Sequence, residues 1–77
     1  MIKKSFKINT DFIKLDSFLK LIGEASTGGQ AKIMIQNEEV LLNNTICTLR
    51  GKKIRPGDKV SVGENEYFIE AKDEWEF

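Results

Sequence analysis

Leu15-Asp16-Ser17-Phe18-Leu19-Lys20-Leu21-Ile22-Gly23, continuing through Ser26-Thr27-Gly28-Gly29-Gln30-Ala31-Lys32, decides the fold of this chain. The first part places apolar residues at 15, 18, 19 and 22, the stripe of a short amphipathic helix. Asp16 stands where it can cap the first turn, and Gly23 where it can end the helix. Ser26 or Thr27 then caps a second helix with Gly28 and Gly29 in its first turn. Ala31, Met34 and Ile35 share one face of that helix, whereas Ile33 fits the stripe poorly and has no partner that the pattern assigns.

On either side of this helix pair the apolar period changes to two. Upstream, Ser5-Phe6-Lys7-Ile8 alternates as a half-buried strand, and Asn9-Thr10-Asp11 reads as a turn. Downstream, Val40-Leu41-Leu42 and Thr45-Ile46-Cys47-Thr48 flank Asn43-Asn44, a pair that tolerates the positive φ of a tight hairpin. Arg55-Pro56-Gly57-Asp58 suits a type II turn, with proline fixing one φ and glycine supplying the positive one. Lys59-Val60-Ser61-Val62 and Tyr67-Phe68-Ile69 pair around Gly63-Glu64-Asn65-Glu66. A strand, two helices and then a run of strands predicts an α+β class: two short helices packed on a small, curved, mostly antiparallel sheet.

The 77 residues form one domain, 1–77, with residues 72–77 expected to fray as an acidic tail unless Trp75 and Phe77 dock on the sheet. A single cysteine, Cys47, makes no internal disulfide and predicts no disulfide-linked partner; in a strand with no basic neighbour it reads as a small buried hydrophobe. With no histidine the commonest metal sites, triads and neutral-pH bases are missing, so no cofactor, no metal and no enzymatic activity are expected. There is no apolar run long enough to span a membrane, and Lys3, Lys4 and Lys7 precede no secretory core. A cytoplasmic protein that does not engage membrane is the expectation.

Twelve basic and twelve acidic residues cancel in sum but segregate along the chain. Residues 1–32 carry a local +3, 33–49 carry −2, 50–59 carry +4 and 60–77 carry −5. If the two basic stretches meet, they form one positive face that attracts phosphate whatever the net charge. Two candidate features lie in them. One is the start of the second helix, where unpaired N–H groups meet glycines that let a phosphate approach. The other is Leu49-Arg50-Gly51-Lys52-Lys53-Ile54, a loop whose long cationic stems reach outward. No Gly-Lys-Ser/Thr follows Gly23–Lys32 at the spacing of a nucleotide P-loop. Phe6, Phe12, Phe18, Tyr67 and Phe68 fall mostly on core positions rather than on a stacking platform.

Leu15-Asp16-Ser17-Phe18-Leu19-Lys20, Ser26 to Lys32, Val40-Leu41-Leu42-Asn43 and Ile54-Arg55-Pro56-Gly57-Asp58, taken in order, resemble the RNA-binding domain family named after small-subunit ribosomal protein S-four. The similarity spans about residues 5 to 71, and the Gly-Gly-Gln-Ala-Lys and Arg-Gly-Lys-Lys segments look most like the small stand-alone bacterial members, YaaA-like and YbcJ-like. The resemblance implies the alpha-L fold and binding of structured, often ribosomal, RNA in ribosome assembly or translation. Carried over position by position, it implies RNA-binding roles for Lys20, Thr27, Gly29, Gln30, Lys32, Arg50, Lys52 and Lys53. Where the family ends its second helix with glycine this chain has Asn37-Glu38-Glu39; asparagine takes the left-handed conformation there, and the two acids lie near the RNA face and weaken it.

A rival of another class is a protein-interaction adaptor with a ubiquitin-like or carrier-like fold, which shares a similar hairpin and late Gly-Asp turn. Carrier chemistry needs a C-terminal Gly-Gly, and this sequence ends Asp-Glu-Trp-Glu-Phe.

Overall fold

The computed structural model describes residues 2–71; the expectations for Trp75, Phe77 and the acidic tail lie outside them. Strand β1 (Ile2–Ile8) leads to a two-residue strand, β2 (Ile13–Lys14), and directly into helix α1 (Leu15–Leu21). Helix α2 (Gly28–Gln36) precedes β3 (Val40–Leu42), β4 (Thr45–Ile46), β5 (Lys53–Ile54), β6 (Lys59–Val62) and β7 (Asn65–Ala71). The main sheet runs β1-β7-β6-β3-β4, and β2 and β5 make a separate antiparallel ribbon. The α+β reading holds. The main sheet is mostly antiparallel, as expected, with one parallel pair at its edge: β1 runs alongside β7 from Ile2↔Asn65 to Ile8↔Ala71.

One face of the sheet carries the core. Ile8, Val40, Val60, Val62, Tyr67 and Ile69 meet Leu15, Phe18 and Leu19 of α1 and Ala31 and Ile35 of α2. Phe18 is fully buried, with Phe6 at 5.6 Å and Tyr67 at 5.9 Å between ring centroids, both edge-to-face. That arrangement sets a ring's positive edge against its neighbour's negative face, so Phe18 contributes geometry as well as buried area. Ile33, the residue outside the stripe, is exposed on α2. Phe68 alternates to the opposite face from Tyr67 and is half-buried; Cys47 is half-buried rather than fully enclosed.

Three polar junctions fix the connections. Both helices end in the same backbone motif. In α1, Gly23 (φ +84) donates to Lys20 O and Glu24 to Leu19 O. In α2, Glu38 donates to Ile35 O and Glu39 to Met34 O. Asn37 remains right-handed (φ −83), and the left-handed residue is Glu38 (φ +64), one position later than the sequence suggests. The reason is that the motif places its left-handed residue after the cap, whatever side chain stands there. At the second junction, the Glu24 carboxylate accepts from Tyr67 Oη at 2.6 Å and Asn65 Nδ2 at 3.0 Å, tying the interhelical loop to β7. At the third, Asn43 and Asn44 (φ +53 and +72) turn the β3–β4 hairpin, and Asn43 reaches the Pro56-Gly57 turn. Its Nδ2 donates to Asp58 Oδ1, its Oδ1 accepts from Lys59 N, and Asp58 Oδ2 accepts from Arg55 N. Gly57 takes the expected positive φ, +99.

Three further boundaries differ from the sequence reading. β1 begins at Ile2, because backbone pairing along β7 extends it through Lys3-Lys4, where side-chain alternation is silent. The strand after the Asn-Asn turn stops at Ile46 instead of Thr48. Lys53-Ile54, read as loop, pairs with Ile13-Lys14.

Candidate nucleic-acid interface

The start of α2 is built by Thr27, with Ser26 preceding it. Thr27 Oγ1 accepts from Gln30 N at 3.1 Å, and Gln30 Oε1 accepts from Ser26 N at 2.7 Å. This near-reciprocal exchange satisfies N–H groups that a helix start leaves open. Thr27 and Gln30 are therefore engaged in shaping the turn; what they can still offer outward are the Thr27 hydroxyl proton and the Gln30 amide N–H groups. Gly29 is exposed, and a Cβ there would meet only the Thr27 hydroxyl at 3.9 Å, so the backbone is open to a close-approaching anion.

The start of α1 is closed differently. Asp16 does not cap it: the cap position is Lys14, with no side-chain hydrogen bond. Leu15 N donates to Lys52 O at 2.9 Å and Asp16 N to Arg50 O at 3.1 Å. The cationic loop thus supplies backbone acceptors to the helix, which pins the 50–52 backbone over it. Asp16 instead accepts from Arg50 Nε through Oδ2 (3.1 Å) and from Ser17 N through Oδ1.

The same guanidinium reaches the other helix. A Cβ placed on Gly28 would lie 3.8 Å from an Arg50 terminal nitrogen. Arg50, with half its side chain exposed, is therefore paired with Asp16 on α1 and lies close to Gly28 at the start of α2. Residues four apart share a strip of helix surface. Lys20 follows Asp16 by four and Lys32 follows Gly28 by four, and both are exposed. One lysine on each helix thus lies a turn beyond a residue close to Arg50, with exposed Lys52 in the adjoining loop. Lys53 is held differently: its ammonium sits 4.8 Å from the centroid of the Phe12 ring, which is half-buried rather than part of the core.

The sequence gives no sign of Lys14. In the β2–β5 ribbon it stands directly opposite Lys53, and both are exposed. Like charges facing across an antiparallel pair repel, and an anion on that face relieves the repulsion. A two-residue strand leaves no periodic signal, so only the pairing reveals this fourth cation beside Arg50, Lys52 and Lys53. Glu38 and Glu39, expected near the face, lie beyond the far end of α2, about 13 Å of helix rise from Gly28.

The model of the S4 domain family matches residues 6–70. The chain belongs to the S4 domain family. A curated relative of this S4 domain is the probable ribosome maturation protein RlbA of Bacillus subtilis (strain 168), 40% identical over 55 residues, covering 71% of this chain and 78% of the relative. Among solved structures the S4 domain is similar to heat shock protein 15 of Vibrio cholerae, with a TM-score of 0.61 and 21% identity. That match covers 71% of this chain and 57% of the other, and at this identity it bears on the fold alone.

Proposed function

We propose that this S4 domain is a non-enzymatic module that grips structured RNA, foremost ribosomal RNA, through its phosphate backbone and shape, and that it serves ribosome maturation or translation in the cytoplasm. The observation that carries the reading is the Arg50 guanidinium, paired with Asp16 of α1 and lying beside the start of α2, which supports one face built from the two basic stretches of sequence. Lys20, Lys32, Arg50, Lys52, Lys53 and Lys14 then contact phosphates, while Gly29 admits one to the helix start. A-form grooves hide base edges from side chains, so sequence discrimination by hydrogen bonding in a paired helix is slight. The name of the Bacillus relative supports the ribosomal assignment.

The test is a titration against salt. With about five phosphates neutralised, log affinity falls against log salt with a slope of about −3 to −5. Lys32→Glu combined with Lys52→Glu abolishes measurable binding and leaves the circular dichroism spectrum unchanged, since both side chains are exposed. A slope near zero, or binding that survives the double reversal, overturns the assignment.

A further inference from the structure

Beside the cationic loop lies an open groove of about 280 Å³ that phosphate binding leaves unexplained. Leu42, Ile46, Cys47 and Leu49 give it an apolar lining, and Lys52 borders it. Ile46 is 50% exposed and Leu49 is 65% exposed, so both aliphatic side chains stand accessible beside the groove. β4 is an edge strand of the main sheet, so its outer side is open to a ligand.

We infer that this groove receives a single unpaired nucleobase of the bound RNA. This rests on the RNA-binding reading and narrows it: the ligand is a paired stem that carries a bulged, looped or terminal base, rather than uninterrupted duplex. The groove joins two chemistries that one nucleotide also joins. A base has apolar faces that Ile46 and Leu49 can cover, and its phosphate is an anion that Lys52 can meet without leaving the site. The Thr45 and Thr48 hydroxyls in the same lining can donate to or accept from a base edge. At about 280 Å³ the groove has room for one flat heterocycle. The cations of Arg50, Lys52 and Lys53 along the adjoining loop favour a polyanion over a neutral apolar partner. Bases in a continuous stem are stacked and out of reach, which is why the occupant must be an unpaired one.

The experiment compares two synthetic RNA hairpins, identical except that one carries a single bulged nucleotide in its stem. Burying one base face against Ile46 and Leu49 is expected to make the bulged hairpin bind about tenfold tighter. Ile46→Ser with Leu49→Ser removes that preference and leaves affinity and salt slope on the fully paired hairpin unchanged. Both side chains are exposed, so the variant keeps its fold, checked by circular dichroism. Equal binding of the two hairpins with a steep salt slope overturns the groove assignment and leaves the RNA-binding reading intact. Failure of both hairpins to bind overturns the two together. A preference that persists in the double variant places the base elsewhere. A dimer in sedimentation equilibrium that the double variant dissolves assigns the groove to a second copy of the chain; each of these last two results overturns the inference.

Discussion

At the scale of single residues, Glu38 and Glu24 illustrate opposite uses of a carboxylate. Glu38 occupies a left-handed position (φ +64) that costs a side-chain-bearing residue about 1 kcal/mol relative to glycine. Glu38→Gly is therefore expected to stabilise the domain by about 0.5–1 kcal/mol, read as a higher urea midpoint at unchanged slope. Glu24 is held by Tyr67 and Asn65, and replacing it with glutamine weakens a charge-assisted bond at a cost of about 1–2 kcal/mol. Burial pushes the Tyr67 phenol up to about 12, and the bond to Glu24 and its negative charge push in the same direction. The sign follows directly. Unfolded tyrosine loses its proton near pH 10 while the folded phenol retains it, so this contribution is complete below pH 10 and is lost as pH rises toward 12. Urea midpoints at pH 9, 10 and 11 should fall more steeply for the native chain than for Tyr67→Phe; parallel curves contradict the assignment. The rise of the phenol's pKa was illegible in the sequence, because Glu24 and Tyr67 stand 43 positions apart.

Among the elements, those with strong local signals were legible. The α1 stripe, the Asn43-Asn44 turn and the Arg55-Pro56-Gly57-Asp58 turn are written in periodicity and in residues that accept or fix particular φ values. Legible one by one, they gave no hint of their mutual contact. Asn43 bonds to Asp58 and Lys59, so hairpin and turn brace each other. Asn43→Ala and Asp58→Ala are each expected to cost about 1–2 kcal/mol, and their double mutant to cost less than the sum because both break the same junction. Additive losses in denaturant melts would mean the two turns act independently. The ribbon of β2 and β5 was not legible at all: two residues per strand give neither alternation nor length, and only the pairing of Ile13 with Ile54 and Lys14 with Lys53 defines it. Capping of α1 was misassigned for a related reason. Asp16 has the right chemistry, yet the acceptors come from Arg50 and Lys52, more than 30 positions away.

For the molecule as a whole, the charge pattern becomes a surface only through folding. The charge of Arg50 is shared with Asp16, which tempers the site that the loop and α2 create. An ion pair with one half-exposed member contributes little to stability, about 0–1 kcal/mol. Asp16→Asn is therefore expected to leave the melting temperature nearly unchanged while making the salt slope of RNA binding steeper by about 1, because Arg50 then neutralises a phosphate in full. An unchanged slope would show that Arg50 positions the loop without meeting RNA. Composition limits, the helix pair, the two turns and the presence of two basic segments were readable from the residues in order, because periodicity, backbone preference and charge are local properties. The tertiary structure alone decided that β1 runs parallel to β7, that Lys14 faces Lys53, and that Arg50, paired with Asp16 of α1, lies beside the start of α2. Those are contacts between residues distant in the chain, and they form because burying Leu15, Phe18 and Ile54 in one core forces the surface groups attached to them into register.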